Sequence, residues 1–195
     1  MSIAIIKYNA GNIFSVENAM KRIGVEAVAT DNPDVIRAAD KVIFPGVGEA
    51  GTTMRYLREH GLDTLIRGLK QPTLGICIGL QLLCAYSEEG DTECLGVFDE
   101  RVSRFAPGAH KIPHMGWNTI RTKDSPLFAG LGEETYAYYV HSYYAHLGAH
   151  TIATTDYVQP FSAALHKDNF YALQFHPEKS AQAGEQILKN FLQIA

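Results

Sequence analysis

The sequence has few cysteines, and their spacing suits neither disulfides nor zinc. Its 195 residues include only Cys77, Cys84 and Cys94. An odd number without paired spacing argues against a disulfide-stabilised secreted domain, and the absence of C-x-x-C argues against a structural zinc site. The first residues carry no charged leader and no small-residue cleavage site, so we expect a core strand there rather than a signal peptide. Together these features predict a reducing, cytoplasmic setting.

Long apolar runs and an excess of one charge are also missing. No run approaches the roughly 20 apolar residues that a membrane-spanning helix needs. Lys and Arg number 17 against 21 Asp and Glu, a formal charge of −4. This balance argues against non-specific nucleic-acid binding, which needs a basic surface. We expect residues 1–195 to form a single globular domain.

The eight histidines are not spaced as metal ligands. His110 and His114 share one segment, and His141 and His146 share another, but there is no H-E-x-x-H or similar pattern. We therefore predict no catalytic metal, and nothing in the sequence indicates a cofactor.

Short apolar runs alternate with helical patterns in the first half of the chain, whereas strands dominate the second half. Alternation of this kind predicts a parallel sheet with helices on both faces. Gly, Pro, Asn and Asp between the later strands indicate hairpins. The sequence thus predicts an α/β fold with a mostly parallel central sheet flanked by helices and extra β-hairpins in the second half. Strands are predicted over Ile3–Tyr8, Val25–Thr30, Lys41–Phe44, Thr73–Ile76, Val97–Phe105, Gly116–Arg121, Thr135–Tyr144, Thr151–Thr155, Ser162–His166 and Phe170–Phe175, and a closing helix over Ala181–Ile194.

The sharpest local signal is Gly75-Ile-Cys77-Ile-Gly79, at the end of a predicted strand and the start of a helix. This G-x-C-x-G pattern is typical of a nucleophile elbow with cysteine in place of serine. The helix N-terminus favours a thiolate, and the backbone N–H of Ile78 would point at a developing oxyanion. Taken alone, the pattern fits a buried cysteine on an ordinary turn equally well. Cys84 illustrates that alternative, because two turns further along the predicted helix it would face the core.

A candidate base lies near the C-terminus, in Gln174-Phe-His176-Pro-Glu178. His176 follows an apolar strand, and in extended chain residues i and i+2 point the same way, so Glu178 would lean against the imidazole. A cysteine nucleophile needs such a base, and the base needs a carboxylate to orient it. A surface histidine beside a surface glutamate is the competing interpretation. Pro45-Gly46-Val47-Gly48 would lie beside the elbow and could donate a further N–H, although a simple turn explains it as well.

The segments GICIGLQLL, QFHPEKS, FPGVGEA and KIPHMGWN together resemble class I (triad-type) glutamine amidotransferases, and within them the glutaminase subunits of imidazole glycerol phosphate synthases. The resemblance covers nearly the whole chain. It implies a flavodoxin-like sheet and hydrolysis of L-glutamine to glutamate and ammonia through a cysteine thioester. It also implies a heterodimer in which a (β/α)8 cyclase subunit uses the ammonia to form imidazole glycerol phosphate and AICAR in histidine biosynthesis.

The resemblance assigns roles residue by residue. Cys77 would attack the amide, His176 would activate it and protonate the leaving ammonia, and Glu178 would orient His176. The backbone donors of the oxyanion hole would be Val47, Gly48 and Ile78. The glutamine would be bound by Gly48, Gln81, Glu89, Ser142 and Tyr143. The partner-facing residues would be Pro113, His114, Met115, Gly116, Trp117, Asn118 and Lys179.

Some features depart from the family pattern and keep alternatives open. The opening motif reads Lys7-Tyr8-Asn9 where a DYG-type motif is usual. A paralogous glutaminase could supply a different synthase, such as one that amidinates surface sugars. The chain could also be a catalytically silent scaffold subunit, although the intact set of Cys77, His176 and Glu178 argues against that. A third alternative is another elbow-cysteine hydrolase or chaperone-like protein of similar fold, but such proteins lack the HPE following a strand and have no need of the PHMGWN segment.

Val47 suggests a hypothesis about activation. A β-branched residue resists φ > 0, so we expect the Val47 peptide to face away from the oxyanion hole in the free protein and to turn when the partner binds.

Overall fold

The computed structural model describes residues 1–8, 12–46, 48–132 and 134–195 as an α/β fold with two sheets. The thirteen described strands are β1 Ile3–Ile6, β2 Val28–Thr30, β3 Lys41–Phe44, β4 Thr73–Ile76, β5 Tyr86–Ser87, β6 Thr92–Glu93, β7 Arg101–Arg104, β8 His114–Thr122, β9 Thr135–His141, β10 Tyr143–Ala145, β11 Thr151–Asp156, β12 Pro160–Lys167 and β13 Phe170–Leu173. The helices are α1 Ile13–Arg22, α2 Pro33–Ala38, α3 Ala50–Glu59, α4 Leu62–Arg67, α5 Ile78–Leu83 and α6 Ala181–Gln193, with 3-10 turns at Pro126–Phe128 and Pro177–Lys179.

The large sheet has the order β2-β1-β3-β4-β13-β12-β11-β8-β9. The first five strands are parallel, and the last four are added antiparallel. The predicted α/β fold, with helices around a parallel sheet and hairpins from the second half, is confirmed. The hairpins extend the main sheet itself, so its antiparallel part is nearly as wide as its parallel part.

Two hydrophobic cores lie on opposite faces of the parallel strands, as the period of two in a strand requires. In β1, Ile3 and Ile5 join the core beneath α1 and α6, whereas Ala4 and Ile6 join the core beneath α2, α3 and α4. All four side chains are buried. Burial on both faces explains why the parallel strands are continuous apolar runs.

A bend at Ser142 moves the chain from one sheet to the other. The predicted strand Thr135–Tyr144 is split there into β9, at the edge of the large sheet, and β10, in a small sheet of order β10-β7-β5-β6. Two short members of that sheet, β5 and β6, were not predicted. The predicted strand Val97–Phe105 is reduced to Arg101–Arg104.

The element that follows the elbow is also shorter than expected. Helix α5 ends at Leu83, and Cys84 is its extended C-cap residue. The prediction that Cys84 lies two turns along this helix is therefore wrong, although its side chain is fully buried as expected. Among the described residues, no helix has the length and apolar character to cross a membrane.

Candidate active site

Cys77 lies in the sharp turn between β4 and α5. Its backbone has φ 55° and ψ −108°, a conformation that non-glycine residues rarely adopt. Strain of this kind persists only where the surrounding structure enforces it, and it is typical of nucleophile elbows. The backbone N–H of Cys77 donates to the carbonyl of Leu173 in β13 (2.7 Å), which holds the turn to the neighbouring strand.

The two glycines of G-x-C-x-G are required by close packing. A Cβ on Gly79 would overlap the carbonyl oxygen of Phe44, where β3 ends. A Cβ on Gly75 would lie 2.7 Å from Cδ1 of Leu83 and 3.0 Å from the carbonyl carbon of Gly79. Any larger residue at these positions would force the first turn of α5 away from the sheet.

The imidazole of His176 and the carboxylate of Glu178 form a buried pair. His176 Nδ1 lies 2.7 Å from Glu178 Oε1, so Nδ1–H donates to the carboxylate. The expected contact is present, but the expected extended backbone is not: Pro177–Lys179 is a 3-10 turn. The turn is held close to α6, because a Cβ on Gly184 would overlap the carbonyl oxygen of Pro177.

Two residues that the sequence analysis missed hold Glu178 in place. Asn12 Nδ2 donates to Glu178 Oε1 (2.5 Å), and the guanidinium of Arg22 donates to the Glu178 backbone carbonyl (3.2 Å). Asn12 precedes α1, just after β1, at the same edge of the parallel sheet as the turn of Cys77. This position was the one sequence feature that could have predicted a role for Asn12, since polar groups at the carboxyl ends of parallel strands converge.

Electrostatics favour a charged imidazole next to the sulfur. Burial opposes a charge on His176, but the side chains of Cys77 and Glu178 outweigh it and raise the pKa of the imidazole to about 10. Within the described part of the chain, His176 Nε2 and Glu178 Oε2 are buried without hydrogen-bond partners. With Nδ1 engaged by Glu178, Nε2 is the nitrogen that remains for proton exchange with Cys77 or with substrate.

The sulfur also has neutral polar neighbours. Cys77 Sγ lies 3.9 Å from the carbonyl oxygen of Val140 and 3.9 Å from Nε2 of Gln174. Gln174 is completely buried. It lies in the QFHPE segment, but the sequence analysis gave it no role because its contacts are with residues remote in sequence.

A cavity of about 280 Å³ opens above Cys77. All five residues expected to bind glutamine line it, together with Cys77 and Ile78 of the elbow. Its lining consists of Gly48, Cys77, Ile78, Gln81, Glu89, Pro113, Val140, His141, Ser142 and Tyr143. As the first residue of α5, Ile78 has an N–H without an intrahelical acceptor. Gly48 has a φ of 140°. Val47, the third expected oxyanion donor, and Asn9, the departure at the opening motif, lie outside the described residues.

Gln81 and Glu89 are fixed in the cavity wall by hydrogen bonds to other residues. Gln81 Nε2 donates to the carbonyl of Tyr143 (2.9 Å) and to Oε1 of Gln174 (3.0 Å), which uses both amide protons. Glu89 Oε2 accepts from the backbone N–H of Ala50 (2.8 Å), and burial raises the pKa of the Glu89 carboxyl. Gln81 therefore has only its carbonyl oxygen left to offer a ligand.

The expected partner-facing segment forms the start of β8, beside the edge strand β9. Met115 and Trp117 are 63% and 53% exposed, and Lys179 is exposed as well. His114 departs from the expectation, because its side chain alternates to the inner face of the strand and is buried. In the described residues, no group of three or more His, Cys, Asp or Glu side chains is arranged to hold a metal ion.

Fold and site together define a class: an α/β protein with a cysteine at a nucleophile elbow, backed by a histidine–carboxylate pair. A family model described as glutamine amidotransferase class-I matches residues 5–195. The chain therefore belongs to the class I glutamine amidotransferase family.

Curated relatives cover the whole chain. It is 62% identical to the imidazole glycerol phosphate synthase subunit HisH of Bacteroides fragilis and 59% identical to that of Bacteroides thetaiotaomicron, with 100% of both sequences covered in each case. The Vibrio cholerae subunit of the same name is 42% identical over 99% of this chain and 98% of its own length.

Solved structures share the fold at low sequence identity. A glutamine amidotransferase structure superimposes with a TM-score of 0.76 at 21% identity, covering 99% of this chain and 98% of the other. A chain of the PurLQS structure from Thermotoga maritima gives a TM-score of 0.71 at 15% identity, covering 98% of this chain and 97% of the other. At these identities the likeness concerns the fold alone.

Proposed function

We propose that this chain is the glutaminase subunit of an imidazole glycerol phosphate synthase and hydrolyses L-glutamine to supply ammonia for histidine biosynthesis. Full-length identity of 62% to a subunit of that name supports the assignment. The observation that carries the chemistry is a cavity with the Cys77 side chain in its wall, beside the buried His176–Glu178 pair.

The first half-reaction forms a thioester. The Cys77 thiolate attacks the side-chain amide carbon of glutamine, and the carbonyl oxygen becomes an oxyanion. The backbone N–H groups of Ile78 and Gly48 stabilise this oxyanion. Each such donor lowers the barrier by about 3–4 kcal/mol. The C–N bond then breaks, and His176 Nε2 gives its proton to the leaving nitrogen, which departs as ammonia.

The second half-reaction releases glutamate. His176, now neutral, takes a proton from water as the water oxygen attacks the thioester carbon. The C–S bond breaks, Cys77 leaves as thiolate, and the imidazolium is restored beside it. Glu178 keeps its bond to Nδ1 throughout, so the ring presents Nε2 in both steps.

The cavity wall offers groups that suit the amino-acid end of the substrate. Because both amide protons of Gln81 are engaged, its free oxygen accepts a hydrogen bond, and Glu89 adds a carboxylate nearby. Both groups attract an ammonium. Ser142 and Tyr143 lie where β9 breaks and β10 begins, and their backbone N–H groups are the donors that would bind the α-carboxylate.

The ammonia is passed to a partner. The exposed side chains of Met115 and Trp117 beside the sheet edge form a surface suited to a protein partner, since tryptophan is enriched in interface hot spots. We propose that the partner is the (β/α)8 cyclase subunit, that the two chains form a heterodimer, and that they work in the cytoplasm, where the three free thiols stay reduced.

A cysteine variant tests the proposal directly. Cys77→Ala, assembled with the cyclase subunit, should lose glutamine-dependent synthesis completely while ammonium salts still support it. Cys94→Ala, which alters a partly buried cysteine away from the cavity, serves as the control and should keep both activities. Loss of both activities in Cys77→Ala would indicate a structural role for this cysteine, and a fully active Cys77→Ala would exclude it as the nucleophile. A parent complex that uses ammonium salts but not glutamine would indicate a silent scaffold.

A further inference from the structure

Two buried histidines near the cavity have no role in the chemistry above. His114 in β8 and His141 in β9 are register partners, and His114 Nδ1 lies 3.0 Å from His141 Nε2. The His114 ring is stacked on Tyr139 and Tyr157, with centroid separations of 4.7 and 3.9 Å. His141 lines the cavity, whereas His114 does not.

A carbonyl group fixes the protons on both rings. His141 Nδ1 lies 2.7 Å from the backbone oxygen of Tyr143, which can only accept, so Nδ1 carries the proton. In a neutral ring Nε2 is then an acceptor, and His114 must donate to it from Nδ1. His114 Nε2 in turn must be an acceptor. Each ring is left with a single tautomer.

The hydrogen bonds of Asn118, on the far side of His114, require the same direction of donation. Asn118 accepts from the Thr119 N–H through Oδ1 (2.8 Å) and donates to the carbonyl of Asp156 through Nδ2 (2.9 Å), which fixes the orientation of its amide. The same Nδ2 lies 3.3 Å from His114 Nε2, where an acceptor is required. Two independent anchors therefore impose the same direction of donation.

Burial keeps both rings neutral. It lowers the pKa of His114 to about 4 and that of His141 to about 3. A proton added to His141 would place two N–H groups against each other across the 3.0 Å contact with His114. A proton added to His114 would go to Nε2 and would face the amide N–H of Asn118 across the 3.3 Å contact. At neutral pH the pair therefore donates a hydrogen bond to the Tyr143 carbonyl in a fixed direction and does not carry protons.

The series of hydrogen bonds from Asn118 through His114 to His141, called the relay below, ends on the Tyr143 carbonyl. This carbonyl also positions a cavity residue. The Tyr143 oxygen accepts a second hydrogen bond from Gln81 Nε2, and Gln81 in turn donates to Gln174, whose own amide nitrogen lies 3.9 Å from the sulfur of Cys77. His141 and Gln81 together satisfy both lone pairs of this carbonyl. An apolar side chain at His141 would leave it held from one side only.

We propose that His114 and His141 are positioning residues for glutamine hydrolysis: through the Tyr143 carbonyl they hold Gln81 and the β9–β10 bend in the conformation that binds glutamine. The inference rests on the proposed function. The histidine pair also connects β8, whose outer face carries the exposed Met115 and Trp117, to the substrate cavity. A purely apolar core would not need these polar side chains.

The matched substitutions are His114→Phe and His114→Asn. Phenylalanine keeps the stacking on Tyr139 and Tyr157 and fills the space but removes the donor to His141, whereas asparagine places an amide nitrogen near the position of Nδ1. We expect His114→Phe to raise the KM for glutamine about tenfold, the effect of losing a buried hydrogen bond, with a smaller change in kcat. His114→Asn should recover most of the loss, and ammonia-dependent synthesis should be unchanged in both.

A purely structural role would instead lower the unfolding temperature and the active fraction without changing KM. A parental KM in folded His114→Phe, or equal losses in both variants, would overturn the proposal. Nitrogen-15 spectra of the histidine-labelled free chain supply a test that is independent of activity. They should show both rings as neutral Nδ1–H tautomers at pH 7.5, and an Nε2–H tautomer at His141 would refute the relay. If the parent chain with its partner cannot hydrolyse glutamine, the proposed function fails, and the spectra still decide on the relay.

Discussion

Replacing Gly184 with alanine tests whether close packing against α6 sets the position of the Glu178 carboxylate. An ideal Cβ at this position overlaps the carbonyl oxygen of Pro177 and lies 2.7 Å from its carbonyl carbon and 3.0 Å from Cβ of Ser180. Ordinary carbon contacts are about 3.5 Å or longer. The carbonyl oxygen is closer still and requires the larger displacement, so the turn Pro177–Lys179 must move by more than about 1 Å relative to α6. Glu178 lies on that turn.

The expected loss follows from two opposing effects. Alanine is the better helix former by about 1 kcal/mol. Overpacking costs about 1–3 kcal/mol, and the upper end applies here because the overlapping atoms belong to the backbone. The net loss of stability should therefore be about 2 kcal/mol. Catalysis should suffer more, because a displacement of about 1 Å in a catalytic group lowers the rate by about a hundredfold. Ser180 adds to the effect, since its hydroxyl donates to the His176 carbonyl (2.6 Å).

The assay is glutamine-dependent synthesis by the complex with the cyclase subunit, beside ammonia-dependent synthesis and thermal unfolding. Gly108→Ala is the matched control, because a Cβ at Gly108 meets nothing within 4 Å. We expect Gly184→Ala to lose about a hundredfold in kcat with glutamine, with the ammonia reaction unchanged, and Gly108→Ala to behave as the parent. A Gly184→Ala chain with parental kcat would show that the carboxylate is not positioned by this contact.

Three further predictions concern the support of the pair, acid stability and the partner surface. Asn12→Ala removes a hydrogen bond to the charged Glu178 carboxylate, an interaction of about 1.5–3 kcal/mol, and should lower kcat/KM for glutamine about tenfold to a hundredfold. A parental value would exclude this role. The depressed pKa values of His114 and His141 add stability that is complete above pH 6.5 and is lost as pH falls through about 4 and about 3. For His114 alone the loss is roughly 3 kcal/mol, so urea unfolding midpoints should fall over this range, and a flat profile would contradict the assignment. Trp117→Ala should weaken the complex about thirtyfold by calorimetry, whereas Val28→Ala, equally exposed on the opposite edge strand, should leave it unchanged.

The sequence alone predicts the features that depend on local pattern. The parallel strands are buried on both faces, so each reads as an uninterrupted apolar run, and β3 and β4 have the predicted bounds. The elbow is equally local, because the glycines, the cysteine and the helix start are consecutive. The glutamine-cavity residues came from family resemblance, and periodicity gave no sign of them.

The contacts that join remote segments could not be predicted. Asn12 and Glu178 are 166 positions apart, and nothing in either segment indicates the other. The sequence gave no sign that His114 and His141 form a pair, because their pairing depends on the register between β8 and β9, and the family resemblance placed His114 in the partner-facing segment instead. The contact that requires Gly184 depends on the approach of α6 to a short 3-10 turn. Each of these is a property of packing geometry, which the hydrophobic pattern does not encode.

The place of the candidate site in the fold connects the cavity to strand β8. The carboxyl ends of β1, β4 and β13 bring Asn12, the Cys77 turn and the His176 segment to one edge, which is where parallel sheets assemble sites. The antiparallel half supplies the opposite wall, because β9 breaks at Ser142 above the sulfur. That wall is paired residue by residue with β8, whose outward side chains include Trp117. A shift of β8 by one residue would turn its inward and outward faces over and break the contact between His114 and His141, so the register between β8 and β9 is what keeps this pair beside the cavity.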